Sequence, residues 1–113
     1  MKYKNLILVA ADELRADFVG CYGNKVAKTP NIDKMAQEGA VFSHHFANHG
    51  KCVPSRSCIY SGRYAKLGGH RTLSVTLQPD EVNIASVLKD RGYHNVMFGN
   101  NHTIDDSWVN DIF

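Results

Sequence analysis

The stretch Cys52-Val53-Pro54-Ser55-Arg56, followed by Ser61-Gly62-Arg63, places a potential nucleophile and a cationic side chain within one turn of each other. Proline suits the first turn of a helix because its φ is already fixed and its missing N–H is not needed there. The pattern therefore predicts a short helix that begins at Pro54 and ends at Gly62. Cys52 would lie at the mouth of this helix, where backbone N–H groups, the helix dipole and Arg56 all favour a bound oxyanion such as sulfate or phosphate.

The cysteines of this stretch also permit two other interpretations. A free cysteine is most often a small buried hydrophobic residue, and Cys52 and Cys58 taken alone fit that role. A small zinc module is a second alternative, since His45 and His49 precede the two cysteines closely. That spacing is not a standard zinc-ligand pattern, however, and a zinc module leaves Pro54 and Arg56 without a purpose.

Three apolar runs predict strands. Residues 5–11 form a continuous apolar run, which is typical of a central parallel strand covered on both faces. Residues 41–46 are a weaker candidate, and residues 94–98 are predicted to form a second parallel strand. Strands that alternate with helices indicate an α/β fold, in which functional groups collect at the carboxyl ends of the strands.

Two further helices are predicted from their end signals. Thr29 can cap a helix that has Pro30 at its first position, an apolar face of Ile32, Met35 and Ala36, and Gly39 as its stop. Ile84, Val87 and Leu88 mark one face of a later helix, which Gly92 terminates. Residues 64–79 have no clear period and are expected to form an irregular connection.

Asp12 and Glu13 come directly after the first predicted strand. Successive side chains on an extended strand point to opposite faces, so both carboxylates can reach one ion only if the chain has already turned. Carboxylate oxygens are ligands for Ca²⁺ or Mg²⁺. The alternative is a solvated acidic turn, because charged residues are mostly exposed.

Composition and charge exclude several classes of protein. The chain has 113 residues, 43% of them hydrophobic and 21% charged, with a formal charge of +2, as in a soluble globular protein. Its positive charges are scattered, so no nucleic-acid partner is indicated. Three cysteines at irregular spacing argue against a disulfide framework. No stretch is long enough to span a membrane, so no membrane partner is expected.

The first residues resemble a secretion signal only superficially. Residues 1–4 carry positive charge and precede the apolar run, but that run is short and continues into Asp12 without a cleavage region. We therefore expect a cytoplasmic protein, with a periplasmic location as the alternative.

The whole pattern Cys-x-Pro-Ser-Arg-x-x-x-x-Ser-Gly-Arg, at residues 52–63, resembles the signature of the sulfatase family, in the alkaline-phosphatase superfamily. Residues 5–15 are similar to that family's opening strand and metal-binding turn, and residues 29–33 to its next helix start. Gly92-Tyr93-His94 and Phe98-Gly99-Asn100-Asn101-His102 resemble its second signature. The resemblance implies an α/β sandwich with a mostly parallel central sheet. Residues 1–113 would be the N-terminal portion of its catalytic domain, without the rest of that domain and the C-terminal subdomain.

The resemblance also implies a mechanism and roles for individual residues. Cys52 would be converted by a formylglycine-generating or other maturation enzyme into formylglycine, whose hydrate attacks the sulfur of a sulfated small molecule or sugar. Asp12, Glu13 and residue 52 would bind Ca²⁺ or Mg²⁺. Arg56 would hold the modified residue, and His102 would contact the sulfate or help to protonate the leaving group.

Two positions depart from the family's pattern. Glu13 stands where an aspartate is more usual, which keeps the charge on a longer side chain. Asn100 stands where the family usually has a lysine that contacts the sulfate, and a neutral amide makes a weaker contact to an anion. The missing charge leaves open a phosphonate monoester or phosphodiester substrate, or an inactive fragment. We expect residues 1–113 alone to hydrolyse nothing.

Overall fold

The computed structural model describes residues 5–113, which divide into two compact units between His45 and Phe46. Residues 1–4, whose positive charge was compared above with the start of a secretion signal, lie outside the described residues. Four α-helices are present in the described part of the chain: α1 (Pro30–Glu38), α2 (Cys52–Ser61), α3 (Ala65–Gly68) and α4 (Ile84–Asp90). Short 3-10 helices occupy Ala16–Phe18, Gly20–Tyr22 and Val109–Asp111.

The predicted strands are not formed. Residues 5–113 contain no strand, and their β pairing is one isolated parallel bridge between Leu77 and Ile104. Residues 5–11, 41–46 and 94–98 have no regular structure, and side chains of the first run such as Ile7 and Val9 are 83% and 82% exposed. A strand needs a neighbouring strand to pair its backbone, and no such neighbour is assembled within residues 5–113. The central parallel sheet of the predicted α/β fold is therefore not present in the described residues.

The first unit is organised around Asp33 of α1. Its carboxylate accepts hydrogen bonds from the backbone N–H of Cys21 at 2.7 Å and from the Thr29 hydroxyl at 3.1 Å. The helix has the predicted ends, Pro30 and Gly39, and Thr29 occupies the cap position. The Thr29 side chain does not cap the helix, however. Its hydroxyl oxygen accepts from the N–H of Gly20, and the hydroxyl donates to the carboxylate of Asp33. The predicted apolar face is not buried, since Met35 is 69% exposed.

The second unit contains a small apolar core. This cluster consists of buried side chains from the bridge, α4 and the last segment, namely Leu77, Ala85, Ile104, Trp108 and Ile112. The side-chain N–H₂ of Asn95 supports it from within by donating to the carbonyls of Ala85 and Ile112 at 2.7 and 2.8 Å. Helix α2 packs against α3 and α4.

Helix α4 begins with a reciprocal cap. The side chain of Asn83 accepts from the N–H of Ser86, whose hydroxyl accepts from the N–H of Asn83. This pair satisfies two N–H groups that the helix itself leaves without partners. The helix ends at Asp90 and the chain then turns through Gly92 at a φ of 81°, which agrees with the predicted stop.

The connection between α2 and α4 was predicted to be irregular, but it contains the short helix α3, and the rest of it is fixed by a contact between the buried His70 and Glu81. His70 is 3% exposed, and its Nε2 lies 2.9 Å from Oε1 of Glu81 while its Nδ1 lies 3.3 Å from the carbonyl of Val75. The other carboxylate oxygen of Glu81 accepts from the N–H of Gln78 at 2.8 Å. These contacts join the end of α3 to the segment that leads into α4.

No helix in the described part of the chain is long and apolar enough to cross a membrane.

Candidate functional site

Helix α2, which was predicted to carry the nucleophile, is present with a start that is shifted from the prediction. It begins at Cys52, two residues before the predicted Pro54, which is now its third residue. Proline is tolerated anywhere in the first turn because N–H groups there have no partner within the helix. Gly62 ends the helix at a φ of 67°, and its N–H donates to the carbonyl of Cys58 at 2.9 Å. The prediction that Cys52 lies at the helix mouth is confirmed.

Cys52 and Cys58 differ in environment although both are free thiols. Cys52 is half-buried at the helix mouth, whereas Cys58 is 5% exposed and faces the interior. Cys58 therefore has the role of a small buried hydrophobic residue, which was the alternative for both. Cys52 keeps partial access to solvent and lies where the positive end of the helix dipole acts.

Arg56 follows Cys52 by one helical turn and is half-buried. Side chains four residues apart on a helix lie on the same face, so the structure brings these two predicted site residues together. A positively charged guanidinium on the same face as Cys52, close to the positive end of the dipole, favours an anion at this place.

Tyr60 belongs to the same helix face and was not predicted as a site residue. Burial raises the pKa of the Tyr60 hydroxyl above its ordinary value of 10.0, and the positive charge of Arg56 offsets part of that rise. Tyr60 packs against the apolar cluster of the second unit, which accounts for its burial.

The loop before α2 is held by His49. Its Nδ1 accepts the backbone N–H of Lys51 at 3.0 Å, just before the first residue of the helix. This hydrogen bond therefore uses Nδ1 of His49 to stabilise the loop that leads into α2. Among residues 5–113 no group of three or more His, Cys, Asp or Glu side chains could hold a metal ion. Within these residues the finding gives no support to the zinc module of His45, His49, Cys52 and Cys58. The predicted set Asp12, Glu13 and Cys52 is not assembled as a metal site there either, so its role stays a prediction.

Asp12 and Glu13 lie in the first unit, at a bend after the apolar run. Glu13 has a φ of 53°, so the chain has left the extended conformation at the acidic pair. This is the condition under which two successive carboxylates can face one ion. Both residues are exposed, and their oxygens fit the donor chemistry of Ca²⁺ or Mg²⁺, which take further oxygen ligands from elsewhere.

Arg15 and Asp17, next to this bend, form an ion pair. The guanidinium donates to both carboxylate oxygens, at 3.0 and 2.6 Å, and also lies 5.5 Å from the centre of the Phe18 ring. Both side chains are mostly exposed, so the pair contributes little to stability.

Asn100 and His102 lie in the second unit on the loop that follows Gly99, which has a φ of 93°. Both side chains are exposed, whereas the following Thr103 and Ile104 are buried at 3% and 2% exposure. Asn100 and His102 are therefore exposed on a loop that is anchored by the buried residues Thr103 and Ile104. They are on a different segment from Cys52 and Arg56, and their roles toward a substrate remain predictions.

Comparison with known proteins identifies relatives over most of the chain. A family model described as Sulfatase matches residues 4–108. The human steryl-sulfatase is 39% identical over 109 residues, covering 87% of this chain and 19% of the relative. Human arylsulfatase D is 35% identical, with 87% and 18% covered, and the N-acetylglucosamine-6-O-sulfatase of Bacteroides thetaiotaomicron is 30% identical, with 93% and 19% covered. The chain thus spans about a fifth of the length of these relatives. No solved structure matches it.

Proposed function

Because the chain belongs to the sulfatase family, we propose that it is the N-terminal portion of the catalytic domain of a sulfuric ester hydrolase that cleaves sulfate monoesters. The observation that carries this proposal is the position of Cys52 in the first turn of α2, with Arg56 one turn along the same face. The sheet of an alkaline-phosphatase-like α/β fold would then form together with sequence beyond these residues. The exposed apolar side chains of residues 6–9 are consistent with a strand that still lacks its neighbours.

Residue 52 supplies the nucleophile in this proposal. A maturation enzyme would convert Cys52 into formylglycine, which provides a hydroxyl nucleophile in place of the thiol. The half-buried position at the helix mouth supports this role because the side chain is reachable while the N–H groups of the first turn and the dipole act on it. The buried Cys58 offers no such access.

Asp12, Glu13 and residue 52 would hold the metal, Ca²⁺ or Mg²⁺, with other ligands from beyond this chain. When bound, the metal acts as a Lewis acid that lowers the pKa of a hydroxyl and neutralises charge on the ester. The bend at Glu13 supports the part played by the acidic pair, because it allows both carboxylates to turn to one side.

Arg56 would bind and orient the sulfate oxygens beside residue 52. A guanidinium presents several N–H donors in a fixed plane, which suits a tetrahedral oxyanion. Its position one helical turn after residue 52 supports this assignment, since side chains four residues apart lie on the same face of a helix. His102 would hold a proton for the departing alcohol, and Asn100 would donate a neutral hydrogen bond to the sulfate.

The alcohol part of the substrate would be a sulfated small molecule or sugar. The names of two relatives refer to a sterol and to an amino sugar. Membership of the family therefore indicates a sulfate ester as substrate but does not identify the alcohol that carries the sulfate. A second candidate is a phosphonate monoester or phosphodiester. It is favoured by the neutral Asn100 at the position where the resemblance implies a lysine.

The proposal is tested with the complete natural protein, produced together with a formylglycine-generating enzyme. We expect hydrolysis of an aryl sulfate that is lost in Cys52→Ala and retained in the matched variant Cys21→Ala, which removes the other half-buried thiol. Parallel assays with an aryl phosphonate separate the two ester classes. Full sulfatase activity in Cys52→Ala would refute the assignment, and activity on the phosphonate alone would favour the second candidate.

A further inference from the structure

We propose that Asn101, between Asn100 and His102, is a positioning residue that holds these two side chains in place for the sulfate ester. This inference rests on the proposed function, because it assigns the reaction to the loop that carries Asn100 and His102. It concerns a residue whose own side chain is less exposed than those beside it: Asn101 is half-buried while both of its neighbours are exposed. Asn101 thus contacts the protein where its neighbours face outward.

The side chain of Asn101 is fully engaged with the backbone that follows it. Its Oδ1 accepts from the N–H groups of Thr103 and Ile104 at 3.2 and 3.1 Å. Its Nδ2 donates to the carbonyl of Ile104 at 2.6 Å and to Oδ1 of Asp106 at 3.5 Å. An amide has two donor hydrogens and two acceptor lone pairs, so these four contacts use its whole capacity and leave one orientation for the side chain.

The backbone that Asn101 grips is itself anchored in the core of the second unit. Leu77 is fully buried, its N–H donates to the carbonyl of Thr103 at 2.8 Å, and it forms the parallel bridge with Ile104. Ile104 belongs to the apolar cluster. Asn101 therefore connects an exposed loop to a buried and bonded base.

A loop fixed in this way has lost its conformational freedom before a substrate arrives. Ordering a free backbone residue costs about 1–2 kcal/mol, and a displacement of about 1 Å at a reacting group can lower a rate by about 100-fold. Since His102 has an exposed side chain, its main chain is what the fold can hold in place. The hydrogen bonds from the Asn101 side chain to the backbone of Thr103 and Ile104 fix the main chain directly after His102.

The test compares three variants in the complete natural protein, matured as above. Asn101→Ala removes all four contacts, Asn101→Asp keeps an acceptor for the two N–H groups, and Asn110→Ala removes an exposed asparagine elsewhere in the same unit as the control. We expect kcat for an aryl sulfate to fall by about 10- to 100-fold in Asn101→Ala, with a smaller change in KM. Asn101→Asp places an oxygen where Nδ2 donated to the carbonyl of Ile104 and to Asp106, so it should lose activity as Asn101→Ala does, and Asn110→Ala should match the wild type.

Two further measurements separate positioning from a general loss of structure. If Asn101 acts through His102, the loss caused by Asn101→Ala shrinks when it is introduced into His102→Ala, as a double-mutant cycle reports. Hydrogen exchange should speed up at the amides of Thr103 and Ile104 in Asn101→Ala and not in Asn110→Ala. Equal kcat in Asn101→Ala and Asn110→Ala, or losses that simply add to those of His102→Ala, would overturn the proposal.

The proposed function can fail without deciding the inference. If the wild type hydrolyses no sulfate ester, the function is wrong, and the exchange rates still test whether Asn101 holds the loop. Unchanged exchange at Thr103 and Ile104 in Asn101→Ala overturns the inference whatever the wild type does.

Discussion

Gly68 should not tolerate a side chain, although it lies in a helix where alanine is normally preferred. A Cβ built at Gly68 would lie 2.5 Å from Cδ2 and 2.7 Å from Nε2 of His70, and 3.2 Å from Oε1 of Glu81. Real Cβ atoms essentially never come closer than 3.0 Å to such atoms. Because His70 is only 3% exposed, its ring has no open space into which it can move.

The magnitude follows from what must give way. To restore van der Waals contact the ring must move by about 1 Å, which breaks or distorts the 2.9 Å contact between His70 and Glu81. Overpacking costs about 1–3 kcal/mol, and a hydrogen bond to a charged group contributes about 1.5–3 kcal/mol. The gain from replacing glycine by alanine in a helix is about 0.5–1 kcal/mol, so the clash dominates. We expect Gly68→Ala to lower the free energy of unfolding by about 2 kcal/mol or more.

The assay is urea unfolding followed by the fluorescence of Trp108, the single tryptophan of the chain, which is buried in the core of the same unit. Gly50→Ala is the matched control, since a Cβ there meets nothing within 4 Å and the residue has no positive φ. It should leave stability unchanged or slightly raised. If Gly68→Ala unfolds at the same urea concentration as Gly50→Ala, the His70–Glu81 pair does not have the packing described above.

Three further predictions concern the site helix, the cap of α4 and the isolated chain. Arg56→Gln should raise the pKa of Tyr60 further, because burial alone then acts on the hydroxyl, and tyrosinate absorbance against Tyr60→Phe measures it. Since burial keeps the folded-state pKa above 10.0, stability should fall as pH rises from about 10 through that raised value; identical pH dependence in Tyr60→Phe would contradict this. Asn83→Ala should cost about 1–2 kcal/mol in urea unfolding because it removes the buried side chain that accepts from the N–H of Ser86 and donates to the carbonyl of Glu81; Asn83→Asp keeps only the acceptor and should recover part of the loss. Residues 1–113 alone should hydrolyse no aryl sulfate even with Ca²⁺ present, and measurable turnover by the purified chain would show that no further ligands are needed.

Helices were the part of the fold that local sequence could predict. Pro30, Gly39, Gly62 and Gly92 mark ends that depend on the conformational preference of single residues, and the structure has helix ends at or next to each of them. The start of α2 was misplaced by two residues because proline is permitted throughout the first turn.

The predicted strands are not confirmed within residues 5–113, because the stability of a strand depends on neighbours that are distant in sequence. The apolar run at residues 5–11 has the composition of a buried strand, yet Ile7 is 83% exposed because nothing within the described chain pairs with it or covers it. Pairing partners that are distant in sequence leave no trace in the run itself.

The site was predictable where spacing along one helix decides it. The four-residue interval from Cys52 to Arg56 places both on one face, and the structure has them there. His70 and Glu81 are eleven residues apart across an irregular segment, so no period could connect them. The bend at Glu13 depends on a positive φ, which glutamate rarely adopts. From the sequence alone, a turn at this place could be stated only as the condition for both carboxylates to reach one ion.

The central claim, that residue 52 becomes the nucleophile, is tested most directly by the mass of one peptide. Trypsin cleavage after Lys51 and Arg56 releases residues 52–56, which contain Cys52 and no other cysteine, while Cys58 falls in the next peptide. In active protein produced with the maturation enzyme, residue 52 should have the mass of formylglycine and Cys58 that of an unmodified cysteine. A fully active preparation in which residue 52 is still a thiol would contradict the account.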